Sequence, residues 1–225
     1  MLKIFIGWDG REAVSYYTLL HSIQTRSTIP LQIAPLNRST LATFYKRRRG
    51  EYDSTDFSIT RFLVPFLCDY KGWALFMDCD MLCRADVVEI AAMVNLQNWY
   101  KSVFVAQHDY TPKDEIKFLG EKQTKYQRKN WSSVMLFNNE RCKKLTRDYV
   151  STAPGLSLHR FDWLDDDQIG SIPLGWNWLV GEYEHNDNAK MVHFTRGGPW
   201  FKQYKDCDYA DEWRKEFESM TACQE

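Results

Sequence analysis

Residues 73–80 read Trp73-Ala74-Leu75-Phe76-Met77-Asp78-Cys79-Asp80, and the rest of the chain is interpreted from this stretch. Five consecutive apolar residues predict a strand that is buried on both faces. Asp78 and Asp80 follow where the chain leaves the regular pleat, so both carboxylates can reach one divalent cation, and such oxygens suit Mg²⁺ or Mn²⁺. Aspartate pairs are also common in ordinary loops, but the apolar strand before this pair favours a cation site.

A strand, a helix and a second strand open the chain. Residues 2–7 form a short apolar run that ends at the turn Gly7-Trp8-Asp9-Gly10. Between residues 11 and 25, apolar side chains recur at helical spacing, and residues 31–36 again suit a strand. This order is typical of a βαβ unit, in which the two strands are parallel.

The rest of the chain continues this alternation. Further strands are predicted at 103–106, 133–137 and 191–194, and helices at 60–70, 86–93 and 209–220. We therefore predict an α/β fold, a three-layer sandwich with a mostly parallel sheet, in one domain over residues 1–225. Ligands of such sheets bind at the carboxyl ends of the strands, where Gly7-Trp8-Asp9, the Asp78 and Asp80 pair and the segment after Met191 would lie.

His193 ends one of these predicted strands and precedes the turn Gly197-Gly198-Pro199. A neutral imidazole could complete the shell of a cation held by Asp78 and Asp80. The backbone N–H groups of the two glycines could face a phosphate. The alternatives are a histidine bonded to the backbone and an ordinary turn before Pro199.

The bulk composition argues against several classes of protein. The 29 basic and 30 acidic residues nearly cancel, which gives no reason to expect nucleic acid as a partner. The basic run at 46–49 is interpreted as a solvated loop, with a phosphate or an acidic ligand as the alternative. No apolar run approaches the roughly 20 residues of a membrane-spanning helix, and residues 2–6 read as a strand rather than a signal peptide.

The cysteines contain no C-x-x-C pair of the kind found in zinc ribbons. Cysteines in apolar surroundings behave as small buried hydrophobic residues. We therefore expect a reducing compartment and a cytoplasmic protein. The six cysteines are Cys68, Cys79, Cys83, Cys142, Cys207 and Cys223.

Several segments together resemble glycosyltransferase family 8, which includes glycogenin and the lipopolysaccharide galactosyltransferases. The resemblance extends over most of the chain, and it is carried by residues 4–12, 60–62, 78–80, 131–138, 167–168 and 193–200. It implies the GT-A fold, in which a nucleotide-binding α/β sheet is joined to an acceptor-binding part. It also implies transfer of a hexose from a UDP-sugar to a glycan, glycoprotein or lipid-linked acceptor, with retention of anomeric configuration.

The resemblance further implies a role for each candidate site residue. Asp167 and Gln168 would be catalytic, with Asp167 binding sugar hydroxyls and Gln168 lying near the anomeric carbon. Mn²⁺ or Mg²⁺ would be held by Asp78, Asp80 and His193. The nucleotide would contact Gly7, Trp8, Asp9, Arg11, Arg61, Asp78, Cys79 and Asp80. The sugar or the acceptor would contact Trp131, Ser132, Ser133, Asp167 and Trp200.

The chain departs from the family pattern at two places. The family carries a phosphate-binding lysine before Pro-Trp, whereas Gly198 occupies that place here and the interval from His193 to Trp200 is one residue shorter. We expect Arg196 or Lys202 to supply the positive charge instead, beside Gly197 and Gly198. The family's Asn-Ser-Gly is replaced by Trp131-Ser132-Ser133, which alters the wall of the sugar pocket.

Two further patterns have both a structural and a functional interpretation. Trp176 and Trp178 flank Asn177, and these rings could stack on a sugar or fill the core. The run at 165–167 consists of three aspartates, which could be a solvated helix start, a second cation site or a group that positions the acceptor. We expect Asp167 to face the pocket.

Three other functions compete with glycosyl transfer. A haloacid-dehalogenase-like phosphatase also places Asp-x-Asp after an apolar strand, but it normally has Thr or Val where this chain has Leu82. A nucleotidyltransferase also uses two carboxylates and Mg²⁺. The third alternative is a non-catalytic domain that binds a nucleotide-sugar or a glycan. The complete set of metal ligands argues against it, and the missing lysine argues for it.

Overall fold

The chain alternates strands with helices, and the computed structural model describes residues 1–50, 53–112, 118–121 and 126–222. The strands are β1 Leu2–Gly7, β2 Leu31–Leu36, β3 Trp73–Met77, β4 Met81–Cys83, β5 Val103–Ala106, β6 Val134–Asn138, β7 Ile169–Ile172, β8 Trp178–Leu179 and β9 Met191–His193. The α-helices are α1 Ala13–Arg26, α2 Arg38–Leu41, α3 Val64–Leu67, α4 Val88–Ala92, α5 Arg147–Thr152, α6 Gly155–His159 and α7 Ala210–Thr221. Short 3₁₀ helices span Gly10–Glu12, Thr60–Leu63, Phe118–Gly120, Trp131–Ser133, Asn139–Arg141, Asp166–Gln168, Leu174–Asn177 and Lys202–Tyr204.

Six strands form the main sheet in the order β2-β1-β3-β6-β5-β7. β1 is parallel to β2 and β3, and β5 is parallel to β7, whereas β6 is antiparallel to both of its neighbours. All strands of the main sheet except β6 therefore run in one direction. The predicted α/β fold with a mostly parallel sheet is confirmed.

A second, smaller sheet has the order β4-β9-β8. β4 is antiparallel to β9, and Met81 lies opposite His193. The chain passes from β3 in the main sheet to β4 in the small sheet through residues 78–80 alone. The two aspartates of the Asp-x-Asp triplet therefore lie where the two sheets meet, and His193 is brought to the same place by β9.

The βαβ unit at the start of the chain is present as predicted. Asp9 accepts a hydrogen bond from the backbone N–H of Arg11 and caps the 3₁₀ turn that leads into α1. The buried face of α1, which includes Tyr16, Leu19 and Ile23, packs toward β4 and α7. α1 ends at Arg26, because Ser27 is extended and Pro30 follows.

Three strands and four helices differ from the sequence-based predictions. The short helices α2, α5 and α6 are not predicted from the sequence. β4, β7 and β8 are too short to give a periodic pattern, and only pairing with strands distant in sequence forms them. The helix expected over residues 60–70 is divided into a 3₁₀ turn and α3, with Pro65 in the first turn of α3. Proline lacks the N–H that a continuous helix would need there.

The buried side chains form two clusters. The larger cluster lies against the main sheet and includes Ile4, Ile6, Leu75, Phe76 and Leu136. The smaller one gathers Leu82, Val192, Phe194 and Trp213 around the second sheet and α7. A single domain over residues 1–225 stays a prediction.

The described part of the chain contains no helix with the length and apolarity needed to cross a membrane. The five cysteines in the described ranges are free, and four of them are buried. Cys223 lies outside those ranges. Burial raises the pKa of the Cys79, Cys83 and Cys142 thiols, so these side chains are protonated apolar groups of the core.

Candidate functional site

Three side chains meet where the two sheets join. One ligand atom from each of Asp78, Asp80 and His193 lies within 4.8 Å of the others. His193 Nε2 is 3.4 Å from Asp80 Oδ1 and 3.9 Å from Asp78 Oδ2. All three residues are buried, so the predicted set of metal ligands is brought together as a preformed group. Two carboxylates and an imidazole form a donor set that suits a divalent cation such as Mn²⁺.

Asn177 sets the orientation of the histidine in this group. Nδ1 of His193 donates to Oδ1 of Asn177 over 2.8 Å, and Nδ2 of Asn177 donates to the carbonyl of Asn130 over 3.0 Å. The proton on Nδ1 leaves Nε2 as the acceptor that faces the two carboxylates. Metal-ligating histidines are commonly held in this way by a second hydrogen bond, which selects the tautomer and fixes the ring.

Arg61 holds the first carboxylate. Its guanidinium lies 2.8 Å from Asp78 Oδ1 and also donates to the carbonyl of Ser132 over 2.8 Å. The backbone N–H of Asp78 donates to the carbonyl of Ser133 over 3.0 Å. Burial raises the pKa of Asp78 to about 6, to which the charge of Asp80 contributes while Arg61 opposes the shift. A cation bound between the two carboxylates would relieve this repulsion.

A cavity of about 350 Å³ opens beside the three side chains. Its volume lies within the range of small-molecule sites in proteins. Asp78, Asp80 and His193 form part of its wall. The other described residues that line it include Arg47, Asp53, Phe57, Arg61, Tyr126, Lys129, Asn130, Ser132, Ser133, His159 and Thr195.

Some of the predicted contact residues line this cavity. Ser132 and Ser133 belong to the turn that precedes β6, and Arg61 comes from the 3₁₀ turn before α3. Because β6 is antiparallel to β3, the residues before β6 and those after β3 reach the same edge of the sheet. Trp131 does not line the cavity: its indole N–H donates to the carbonyl of His108 over 2.8 Å.

The turn after β1 lies at the same edge but serves the fold. Asp9 accepts three hydrogen bonds from Arg11 and one from the backbone N–H of Asp56. Burial raises the pKa of Asp9, but the bonds from Arg11 outweigh burial and hold that pKa below its usual value. The Trp8 ring packs edge-on against Tyr16, with 5.0 Å between centroids.

Gly7 and Cys79 pack next to the residues that line the cavity. A Cβ on Gly7 would lie 2.4 Å from the ring of Phe57, so only glycine allows that ring to form part of the cavity wall. The Cys79 side chain is buried, and the backbone carbonyl of Cys79 accepts a hydrogen bond from Ser15 Oγ over 2.8 Å. The nucleotide contacts expected of Gly7, Trp8, Asp9, Arg11 and Cys79 stay predictions.

Asp167 and Gln168 lie at the opposite edge of the main sheet. They precede β7, and β7 is parallel to β5, with Ile169 opposite Val103 at the start of both strands. The aspartate pair instead follows β3, which runs in the same direction. A strand rises about 3.3 Å per residue, so β7 by itself separates the two edges by roughly 10 Å.

The contacts of this acidic turn are structural. The Gln168 side chain accepts from the backbone N–H of Asp165 over 2.9 Å and completes a capping box. Asp166 forms an ion pair with Arg128, and the carbonyl of Asp167 accepts from Lys101. The side chain of Asp167 is exposed. The structure therefore does not bring the predicted catalytic pair into the cavity.

The glycine turn after His193 also lies outside the wall formed by the described residues. A Cβ on Gly198 would approach the Trp200 ring to 2.1 Å, so the packing of this ring explains the glycine. Trp200 in turn packs on Trp213 and Phe194 in the smaller core cluster. Arg196 donates to the carbonyl of Gly181 over 3.3 Å, and Lys202 is exposed. Phosphate contacts from Arg196, Gly197, Gly198 and Lys202, and a sugar contact from Trp200, stay predictions.

Several cavity residues could not be found from the sequence. Trp176 is fully buried and Trp178 donates to the carbonyl of Glu184, whereas Asn177 between them contacts the site through its hydrogen bond with His193. His159 faces the cavity, with Nδ1 at 2.8 Å from Ser132 Oγ. The two tryptophans on either side of Asn177 mark in the sequence the segment that contacts the site. No local signal marks His159.

The chain is similar to one curated protein over nearly its whole length. It is 46% identical over 225 residues to "Protein CDI" of Arabidopsis thaliana, an alignment that covers 96% of this chain and 86% of that protein. No protein-family model matches the chain.

Solved structures of glycosyltransferases share the architecture. The apo form of the bifunctional glycosyltransferase WbbM matches with a TM-score of 0.66 at 15% identity, over 96% of this chain and 49% of WbbM. The glycosyltransferase GlyE of Streptococcus pneumoniae TIGR4 matches with a TM-score of 0.61 at 13% identity, over 96% of this chain and 61% of GlyE. The chain thus spans about half of the first protein and three fifths of the second.

The galactosyltransferase LgtC, solved with donor and acceptor sugar analogues, matches over 100% of this chain and 98% of its own length, with a TM-score of 0.57 at 13% identity. Identities this low show a shared fold alone. The fold is that of GT-A-type glycosyltransferases, as the resemblance implies, whereas membership of family 8 stays a prediction.

Proposed function

The chain belongs to the same family as Protein CDI of Arabidopsis thaliana, and we propose that it is a metal-dependent glycosyltransferase. It transfers a hexose from a nucleotide-sugar, a UDP-sugar in our proposal, to a hydroxyl of a glycan, glycoprotein or lipid-linked acceptor, with retention. One observation carries the proposal. A buried group of two aspartates and a histidine lies beside a cavity, at the ligand-binding edge of a glycosyltransferase fold.

The chemistry of the donor requires charge compensation at this place. When the bond between sugar and diphosphate breaks, negative charge grows on the leaving diphosphate. A bound Mn²⁺ or Mg²⁺ would supply positive charge that stabilises it. Asp78, Asp80 and His193 would hold the ion, and their mutual distances support this role.

Residues of the cavity wall support binding of a sugar. Ser132, Asn130 and Thr195 present hydroxyl and amide groups, and His159 is oriented by its hydrogen bond with Ser132. Such groups exchange hydrogen bonds with sugar hydroxyls. Arg61, clamped between Asp78 and the carbonyl of Ser132, ties the sugar-facing turn to the metal ligands and keeps the cavity preorganised.

The test is turnover of a panel of nucleotide-sugars with Mn²⁺, with Mg²⁺ and with a chelator. We expect release of the nucleoside diphosphate from one donor with either ion, and loss of that release with the chelator and in Asp80→Ala. Lys143→Ala, an exposed residue outside the described cavity wall, serves as the control. Full turnover by Asp78→Ala and by Asp80→Ala would show that these carboxylates are not the metal site.

The same assays separate the alternatives. A haloacid-dehalogenase-like phosphatase would hydrolyse a generic phosphate ester without any nucleotide, and a nucleotidyltransferase would release pyrophosphate from a nucleoside triphosphate. A non-catalytic domain would bind the donor and leave it intact. The glycosyltransferase fold favours sugar transfer over the phosphatase.

A further inference from the structure

The proposed transfer needs a group that takes the proton of the acceptor hydroxyl. As the bond to the sugar forms, the acceptor oxygen becomes strongly acidic, and a base placed to receive its proton speeds such a step by about a hundredfold or more. The pair that the sequence predicts to be catalytic, Asp167 and Gln168, lies outside the cavity wall. A cation on the leaving diphosphate would make its oxygens weaker bases. A base is therefore expected among the described residues that line the cavity.

His159 is the lining side chain best suited to this role. Asp78, Asp80 and His193 would be engaged by the cation, and the Asp53 carboxylate accepts a hydrogen bond from the backbone N–H of Gly50 over 2.8 Å. Aspartate is also a much weaker base than imidazole. Histidine is the side chain whose ordinary pKa lies nearest to neutrality, so it can both take up and release a proton there. The described lining residues whose side chains can act as bases are Asp53, Asp78, Asp80, His159 and His193.

A hydrogen bond joins His159 to a serine of the same wall. Nδ1 of His159 lies 2.8 Å from Oγ of Ser132, and both residues line the cavity. An imidazole at this distance from a hydroxyl is the arrangement by which enzymes activate hydroxyl oxygens. With the ring proton on Nε2, the hydroxyl donates to Nδ1, and its oxygen can accept a hydrogen bond from a ligand. The pair can therefore pass a proton from a bound hydroxyl to the ring.

Both members of this pair are held in place. Ser132 is buried in the turn before β6, and its carbonyl accepts from Arg61, which pairs with Asp78. His159 ends α6, and its ring packs edge-on against Phe62 with 5.3 Å between the ring centroids. The hydroxyl is thus fixed relative to the proposed cation site, which is where the bond of the donor would break.

We propose that Ser132 and His159 form a relay that takes the proton of the acceptor hydroxyl. The inference rests on the proposed function, because it assigns a step of that transfer. The acceptor oxygen forms a bond to the anomeric carbon, the bond from that carbon to the phosphate oxygen breaks, and the diphosphate leaves with the electron pair. The acceptor proton passes to Oγ of Ser132 while the Ser132 proton passes to Nδ1 of His159. The imidazolium then gives a proton to water, which restores the neutral pair.

Four variants separate proton transfer from positioning. In His159→Asn, the amide places a polar atom near the position of Nδ1 and can bond Ser132, but an amide is not a base. Ser132→Ala removes the hydroxyl that would pass the proton, whereas Ser132→Thr keeps a hydroxyl there. His185→Asn changes an exposed histidine outside the described cavity wall and serves as the control.

Two simple alcohols that differ in acidity serve as acceptors. Each variant receives the UDP-sugar that the wild type turns over with Mn²⁺, together with ethanol or trifluoroethanol, and formation of the alkyl glycoside is measured. We expect His159→Asn and Ser132→Ala to lower the rate with ethanol by about a hundredfold, the usual contribution of a positioned base. With trifluoroethanol the loss should be about tenfold or less, because a more acidic hydroxyl depends less on a base.

The other measurements test whether the cavity itself is intact. Ser132→Thr and His185→Asn should keep most of the rate with both alcohols. Calorimetry should show that His159→Asn binds Mn²⁺, and UDP in saturating Mn²⁺, as the wild type does.

Full rates with both alcohols in His159→Asn would overturn the inference and leave the proposed function intact, since the diphosphate would then take the proton. Equal losses with ethanol and with trifluoroethanol would also overturn it, because His159 would then only shape the cavity. A wild type that releases no nucleoside diphosphate from any UDP-sugar with Mn²⁺ would instead refute the proposed function, and the relay with it.

Discussion

Two acidic clusters, the pair Asp78 and Asp80 and the run at 165–167, lie at opposite edges of the main sheet and differ in their contacts. Asp78 and Asp80 follow β3, are buried, and share their position with His193 and a cavity. The aspartates at 165–167 precede β7, are exposed, and hold a capping box and an ion pair. Local sequence makes both clusters look like candidate sites. The direction of the strand beside each one decides which of them reaches the ligand-binding edge.

The comparison shows that burial increases what a carboxylate gains from binding a cation. A buried pair of aspartates is unfavourable without a cation, as the raised pKa of Asp78 shows, and it therefore gains from binding one. An exposed aspartate is solvated by water and screened by salt, so it binds a cation only weakly.

The largest effect is expected from removing one charge of each cluster in turn. Asp80→Asn should lower the affinity for Mn²⁺ by about a hundredfold or more, because a charge in contact with a divalent cation is worth several kcal/mol. Asp167→Asn should leave that affinity and donor turnover unchanged. Titration of each variant with Mn²⁺ gives the answer. Equal losses of Mn²⁺ affinity in the two variants would break the comparison and support a second cation site at residues 165–167, whereas a loss of donor turnover alone in Asp167→Asn would support the catalytic role predicted for Asp167.

A smaller effect is expected at the residue that orients the histidine. Asn177→Ala should lower Mn²⁺ affinity by about 10- to 100-fold, the usual range for an outer-shell partner of a metal ligand. The loss arises because Nδ1 of His193 then lacks its acceptor. The exposed residue Asn188 provides the control variant, Asn188→Ala. Unaltered affinity in Asn177→Ala would show that β9 by itself orients the ring.

The capping glutamine should affect stability and not metal binding. Gln168→Ala removes the side-chain half of the capping box before β7, and a lost cap lowers the free energy of unfolding by about 0.5–2 kcal/mol. Urea unfolding of this variant and of Gln24→Ala, an exposed glutamine of α1, measures the difference. A loss of donor turnover without a loss of stability would favour the predicted position of Gln168 near the anomeric carbon.

The smallest effect is expected at Asp166. Its ion pair with Arg128 is largely exposed, with 88% of the aspartate side chain accessible to solvent. Asp166→Asn should change the free energy of unfolding by less than about 1 kcal/mol, as exposed ion pairs generally do. Urea unfolding measures this too. A clearly larger loss would show that the pair also holds the turn before β6 to which Arg128 belongs.

The grouping of Asp78, Asp80 and His193 could be predicted because its signal is local. Five apolar residues before Asp78 predict a buried strand, and a strand end is a reliable place for a ligand in an open α/β sheet. His193 has the same kind of signal. The prediction for Asp167 had no such support, because β7 is four residues long and has no visible pattern. Without that strand, the edge of the sheet to which Asp167 belongs could not be assigned.

The supporting residues could not be predicted because their partners are distant in sequence. Through one amide group Asn177 connects His193, which is 16 positions away, with Asn130, which is 47 positions away. The wall of the cavity is likewise formed by segments that are distant in sequence. The glycine turn shows the converse case: Gly198 resembles a phosphate-binding residue, but the Trp200 ring explains it.

The sequence by itself determined the α/β class, the βαβ start and the three candidate metal ligands, because each depends on periodicity or on residues adjacent to a strand. Only the tertiary structure decided which acidic cluster lies at the ligand-binding edge and which asparagine orients His193. These depend on strand direction and on hydrogen bonds between distant segments, and the order of residues along the chain does not specify either.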